Sequence, residues 1–159
     1  MRIVRVIAIA IGTAGIASAG LSAVALAKVE GLAKAEQGKP TNYKGLEIAA
    51  LSITRAQNVP LLDCPPGTNT QRGNALEGEE FAVVTLSFKV LAAYKETIIK
   101  KPVLTDASGK VFNTSVAIID AGSKPEYQCA FPFRVPAGTK VSSIAIDTAT
   151  IGLATIERR

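Results

Sequence analysis

Histidine is absent from all 159 residues, which removes the commonest general base, metal ligand and triad member. Ser-His-Asp and Cys-His catalysis and His-based zinc or copper sites are therefore excluded. The single methionine is the initiator and tryptophan is missing, so thioether copper sites and indole stacking platforms are excluded as well. Aromatic residues make up only 5% of a chain that is 48% hydrophobic, so a core must be assembled mainly from Val, Ile, Leu and Ala. Small β-branched residues suit sheets. No glycine-rich phosphate loop is present, and the basic residues are scattered, with Lys100-Lys101 the longest run. Nucleic-acid binders concentrate such charge and interleave aromatics, so nucleic acid is not an expected partner. No cofactor, catalytic residue or metal ligand set is expected.

What is present first is an address. Met1 to Arg5 carries two positive charges, Val6 to Leu26 is uncharged and apolar, and Ala25-Leu26-Ala27 closes the run before Lys28. A basic n-region, an apolar h-region and an A-x-A site in that order read as a secretory signal helix over residues 1–27. Ala17-Ser18-Ala19 offers a second cleavage position; Ala27 is favoured. The alternative is an uncleaved membrane anchor, since about 20 apolar residues can span a bilayer. The many small residues, including Gly12, Gly15, Ser18 and Gly20, weigh against that reading. No cysteine follows the run to serve as a lipoprotein anchor. Removing Arg2 and Arg5 lowers the basic count from 18 to 16 against 13 acids, a net +3 instead of +5. The expected location is secreted or periplasmic.

Residues 28–42 mix charges and small residues without an apolar face and read as a linker. From 43 to 159 the pattern is β. Leu46, Ile48, Leu51 and Ile53 form an opening strand with a bulge expected at Ala49-Ala50. Residues 58–80 contain Pro60, Pro65, Pro66, Gly67, Gly73 and Gly78 and read as a long loop. Phe81 to Leu91 is the strongest strand: one face is apolar throughout, the other only at its start. Pro102 to Thr105 and Val111 to Asn113 flank the turn Asp106-Ala107-Ser108-Gly109-Lys110 as a hairpin. Tyr127 to Val135 alternates strictly but contains Pro132, which belongs on an edge or at a bulge. Val141–Asp147 and Ile151–Ile156 complete about seven strands, with Ile144 and Ile146 inward. Short strands separated by turns point to an all-β sandwich.

Cys64 and Cys129 are the only cysteines, and both lie in the exported part. An even count in an oxidising compartment indicates a disulfide. Without a C-x-x-C or a flanking histidine, a redox-active role is the weaker reading. The bond would pin the proline-rich loop to a strand.

The order of signals resembles the secreted bacterial immunoglobulin-like domains of unknown function, related in fold to the mycobacterial immunoprotective extracellular antigen. The resemblance is carried by Gly45-Leu46-Glu47-Ile48 with Leu51-Ser52-Ile53, by Glu80 to Val90, by Val103 to Lys110, and by Phe133-Arg134-Val135-Pro136-Ala137-Gly138. Where the pattern commonly ends its central strand with Asn, this chain has Leu91-Ala92-Ala93. The resemblance implies an exported immunoglobulin-like sandwich of about seven strands and no established reaction.

Asp63, Glu77, Glu79 and Glu80 could gather a calcium ion or form a glycosidase-like carboxylate pair, although their spacing matches no EF-hand and acids beside glycines are ordinary solvated loop residues. Asn113-Thr114-Ser115 matches the N-glycosylation sequon, a tripeptide that also arises by chance. Tyr43, Tyr94 and Tyr127 could anchor a partner; Tyr127 is expected in the core by alternation, and Tyr94, beside Lys95 and Glu96, on the surface. The function expected is a non-enzymatic binding or interaction module displaying loop 58–79, with Leu61, Leu62, Asp63 and Tyr94 as binding residues and an envelope or extracellular protein or ligand as partner. A carboxylate-dependent envelope enzyme and a secreted proteinase inhibitor, with Pro60 to Pro66 as its bait, are the alternatives.

Overall fold

Leu46, Ile48 and Ala50 recur at every second position, as do Ala82, Val84, Leu86 and Phe88, and Cys129, Phe131, Phe133 and Val135; strands must form to turn these sets to one side. The computed structural model describes residues 38–59, 62–68, 73–118 and 120–157. The signal expected over 1–27 and most of the 28–42 linker lie outside the described residues.

Among the described residues, eight strands form two four-stranded antiparallel sheets. The first is ordered β1 (Thr41–Tyr43), β2 (Leu46–Ala56), β3 (Glu79–Val90), β6 (Glu126–Pro136). The second is ordered β5 (Val111–Asn113), β4 (Val103–Asp106), β7 (Val141–Ile146), β8 (Ala149–Gly152). The inward residues of both sheets form one core, in which Phe88, Phe131, Phe133, Leu86, Leu104, Ile144 and Ile146 are fully enclosed. Phe88 stacks on Tyr127 with ring centroids 4.9 Å apart and meets Phe131 edge-on at 6.2 Å. Five phenylalanines thus suffice because three of them share the centre of an otherwise aliphatic interior.

The structure revises the sequence reading at several points. Thr41 and Asn42 are paired strand residues instead of linker, joined to β2 by a two-residue turn in which Lys44 and Gly45 both have positive φ, 51° and 89°. That is a type I′ hairpin turn. The bulge in β2 falls between Ala50 and Ser52, one residue later than expected. The last strand is Ala149–Gly152, not Ile151–Ile156, because Ile156 and Glu157 both donate backbone hydrogen bonds to the Leu153 carbonyl and turn the chain away. The proline of β6 does lie on a sheet edge, and the Asp106 turn is closed by its own carboxylate, which accepts from the Ser108 and Lys110 amides with Gly109 at φ 87°.

Each end of the sandwich carries a polar tie between the sheets. At one, Arg55 of β2 donates to Glu80 of β3 at 2.9 Å, to the Thr139 carbonyl at 2.9 Å, and to Glu157 beyond β8. Glu157 in turn accepts from the Val141 amide at 2.8 Å. At the other, the Tyr43 hydroxyl lies 2.9 Å from Asp147 in the β7–β8 turn, and Lys100 pairs with the same carboxylate. The Lys100 ammonium, followed by the Tyr43 hydroxyl, holds the Asp147 carboxyl below its ordinary range.

Tyr94 corrects another expectation: it is 7% exposed, a core residue. Its amide donates to the Leu91 carbonyl, and the turn packs so closely on Gly45 that a Cβ there would stand 2.6 Å from the Tyr94 nitrogen. Among the described residues the Tyr94 hydroxyl has no hydrogen-bond partner, and burial pushes its pKa up to about 12. Tyr94→Phe is therefore expected to stabilise the fold by about 1 kcal/mol, since it removes an unpaired buried hydroxyl while keeping the ring. Because the folded pKa exceeds the unfolded value of about 10, stability is intact below pH 10 and falls as the pH rises toward 12. Urea unfolding at pH 8 and pH 11 checks both points; equal pH dependence in the two proteins would refute the assignment.

Candidate functional site

The loop between β2 and β3 starts as a continuation of the sheet. Val59 donates to the Gly73 carbonyl, Ala75 donates to the Gln57 carbonyl, and Asn58 bridges Asn74, so the two ends form a narrow antiparallel neck. Beyond it, Pro65-Pro66-Gly67-Thr68 makes a turn closed by the Thr68 amide and hydroxyl on the Pro65 carbonyl, with Gly67 at φ 83°. Proline followed by a positive-φ glycine is the composition a type II turn requires.

Cys64 is bonded to Cys129, with their Cα atoms 4.3 Å apart. That is close to the spacing of a pair on neighbouring strands, so the bond holds the loop directly beside β6. Leu62 and Cys64 pack against the core, and Pro65 is buried. The bridge from Thr114 to Phe133 is a further contact with β6, which is an edge strand of the first sheet.

The neck lies against the outer face of the first sheet. Phe81 and Val83, which point outward by the register of β3, are 6% and 2% exposed, accounting for the apolar start of that face. Val59 and Gly73 of the neck border a cleft of about 270 Å³ with Phe81, Pro132, Arg134 and Asn113. Arg134 joins neck to sheet: its Nη2 donates to the Asn74 carbonyl at 2.9 Å, its Nε lies 3.6 Å from Glu79, and its guanidinium stands 5.6 Å from the Phe81 ring centre.

Of the residues singled out from sequence, Asp63 is exposed on the loop and Leu62 is half-buried beneath it. Leu61 lies outside the described residues. Tyr94 is in the core and presents no surface, and Tyr43 is likewise buried. The four acids are not drawn together: Glu79 faces Arg134, Glu80 faces Arg55, and Glu77 and Asp63 are exposed. Among the described residues no group of three His, Cys, Asp or Glu side chains is placed to hold a metal ion. The sequence marked Asn113 only as part of a sequon, Gly73 only as a loop glycine and Arg134 only within a strand; the pairing of β3 with β6 is what sets Arg134 beside Phe81.

No protein-family model and no curated protein matches the chain. Among solved structures, it is similar to an uncharacterized beta-sandwich protein from Clostridium difficile, at 10% identity and a TM-score of 0.44, over 71% of this chain and 87% of that one.

Proposed function

We propose that this protein is an exported, non-enzymatic binding module, an immunoglobulin-like sandwich that presents residues 58–79 to an envelope or extracellular polypeptide. The observation that carries the reading is the fastening of that loop. A hydrogen-bonded neck, a disulfide and an arginine hold it to the sheet. A loop fastened at several points to a rigid scaffold loses less conformational freedom on binding than an untethered one, and recognition sits on such loops. The immunoglobulin-like assignment draws support from connectivity. Strands 1, 2, 3 and 6 share one sheet and 5, 4, 7 and 8 the other, so the chain changes sheets after β3, β5 and β6, a Greek-key path. Export draws support from the Met1–Ala27 pattern and from the pairing of both cysteines.

The test is capture from culture supernatant or periplasm by the C-terminally tagged chain. Its comparison is a folded variant with residues 60–72 replaced by Gly and Ser and Cys129 by Ala. A polypeptide retained by the first and lost by the second is the expected result; identical captured sets would sink the reading. N-terminal sequencing should find Lys28 first, and an intact Met1 in the cytosol with two free thiols would overturn export. The proteinase-inhibitor version is favoured by one observation, that Cys64 and buried Pro65 clamp the segment directly after Leu62. Rapid cutting at Leu61-Leu62 by secreted proteases without inhibition would eliminate it.

A further inference from the structure

We propose that the cleft between the loop neck and β6 is a carboxylate-binding subsite, built around Arg134, through which the module holds an acidic or terminal carboxylate of its polypeptide partner. This rests on the reading of the loop as a binding element and adds what it recognises.

Arg134 occupies an outward position of β6, where alternation would place any polar residue, yet its neighbours across the register are apolar: Phe81 beside it and Val83 beside Pro132. A permanently charged guanidinium laid over an aromatic ring is held in plane, which an ammonium would not be. Its existing partners use only part of its donor set. Nη2 is taken by the Asn74 carbonyl, Nε is directed at Glu79 across 3.6 Å, and Nη1 has no partner among the described residues. The side chain is 45% exposed, so those donors are reachable. Asn113 and Ser115 border the same cleft, and their side chains are neutral hydrogen-bonding groups. Apolar walls come from Val59, Phe81 and Pro132.

Charge and size narrow the ligand. A positive group with hydrogen-bonding neighbours and a planar fork selects a carboxylate. A volume of about 270 Å³ is just below the range that encloses drug-sized molecules, and suits one residue of an extended chain. Glu79 is the acid that competes for the same guanidinium. Gly73 also borders the cleft, and among the described residues a Cβ there would meet only the Arg134 Nη2, at an ordinary 3.8 Å. A larger side chain at 73 can therefore fill the cleft without straining the fold.

The test follows amide NMR shifts of Gly73, Asn113, Ser115 and Arg134 in the full exported chain while three capped peptides are added. Acetyl-Ala-Glu-Ala-amide carries a side-chain carboxylate, acetyl-Ala-Ala-Ala a terminal one, and acetyl-Ala-Gln-Ala-amide neither. Saturable shifts are expected with one or both acids and not with the glutamine peptide, and the stronger acid identifies the source. Arg134→Gln should weaken binding about tenfold or more, and Gly73→Leu should block it. Glu79→Gln should strengthen it, an opposite sign that a merely structural Arg134 would not produce. Equal responses to the glutamate and glutamine peptides, or binding unchanged in both Arg134→Gln and Gly73→Leu, would overturn the proposal. Should Arg134→Gln fail to fold, Gly73→Leu and Glu79→Gln decide. If loop-dependent capture persists in Gly73→Leu, the subsite is wrong and the binding-module reading stands; if capture never depended on the loop, that reading fails whatever the peptides do.

Discussion

Replacing Cys64 and Cys129 together by alanine is expected to lower stability by roughly 4 kcal/mol, the chain-entropy value for a bridge between residues 65 apart in sequence. For a domain of this size the midpoint of thermal unfolding should fall by about 10–20 °C. Alanine is the right replacement at 129 because that side chain is fully enclosed in the core, where a serine hydroxyl would add its own penalty. Urea unfolding measures the loss directly. Its slope should also rise, since the unbridged denatured chain exposes more surface. A loss under 1 kcal/mol with an unchanged slope would mean that the neck and Arg134 hold the loop unaided.

Arg55→Met is expected to cost about 2–3 kcal/mol, the second largest effect. The arginine side chain is 25% exposed, and its partners Glu80 and Glu157 only 16% and 9%. Removing the cation leaves two largely enclosed carboxylates facing each other, a more damaging result than losing a surface pair. The fully buried figure of about 3–5 kcal/mol is discounted here because solvent still reaches one side. Adding Glu157→Gln to Arg55→Met should recover part of the loss, because one of the stranded charges goes. A double-mutant cycle read by chemical denaturation isolates that coupling, and strict additivity would contradict the described tie.

The parts of this fold that could be read from residues alone were those where burial repeats with a strand's period. Phe81 to Val90 and Tyr127 to Val135 declare both their inward faces and, through Phe81 and Val83, the place where something covers the outer one. The hairpin that opens the domain was invisible for the opposite reason. Thr41–Tyr43 is too short to show alternation, and its turn begins with Lys44, whose positive φ no composition rule announces. Tyr94 misled because Lys95 and Glu96 beside it are polar; its burial depends on the absence of a side chain at Gly45, distant in sequence and adjacent in space. The disulfide followed from counting, whereas the Arg134 cleft required the register between two strands that are 36 residues apart along the chain, from Val90 to Glu126.

The bond between Cys64 and Cys129 also ties together parts of the chain that the fold brings side by side late along its path. A chain with two thiols can make one intramolecular bridge and no wrong one, so no isomerase is needed to sort alternatives. Yet the second sulfur belongs to the sixth strand, which reaches the first only after the intervening hairpin has crossed to the other sheet and the chain has returned. The folded geometry of that bond therefore exists only once β6 has returned to pair with β3, which ties the bridge to the pairing that completes the first sheet.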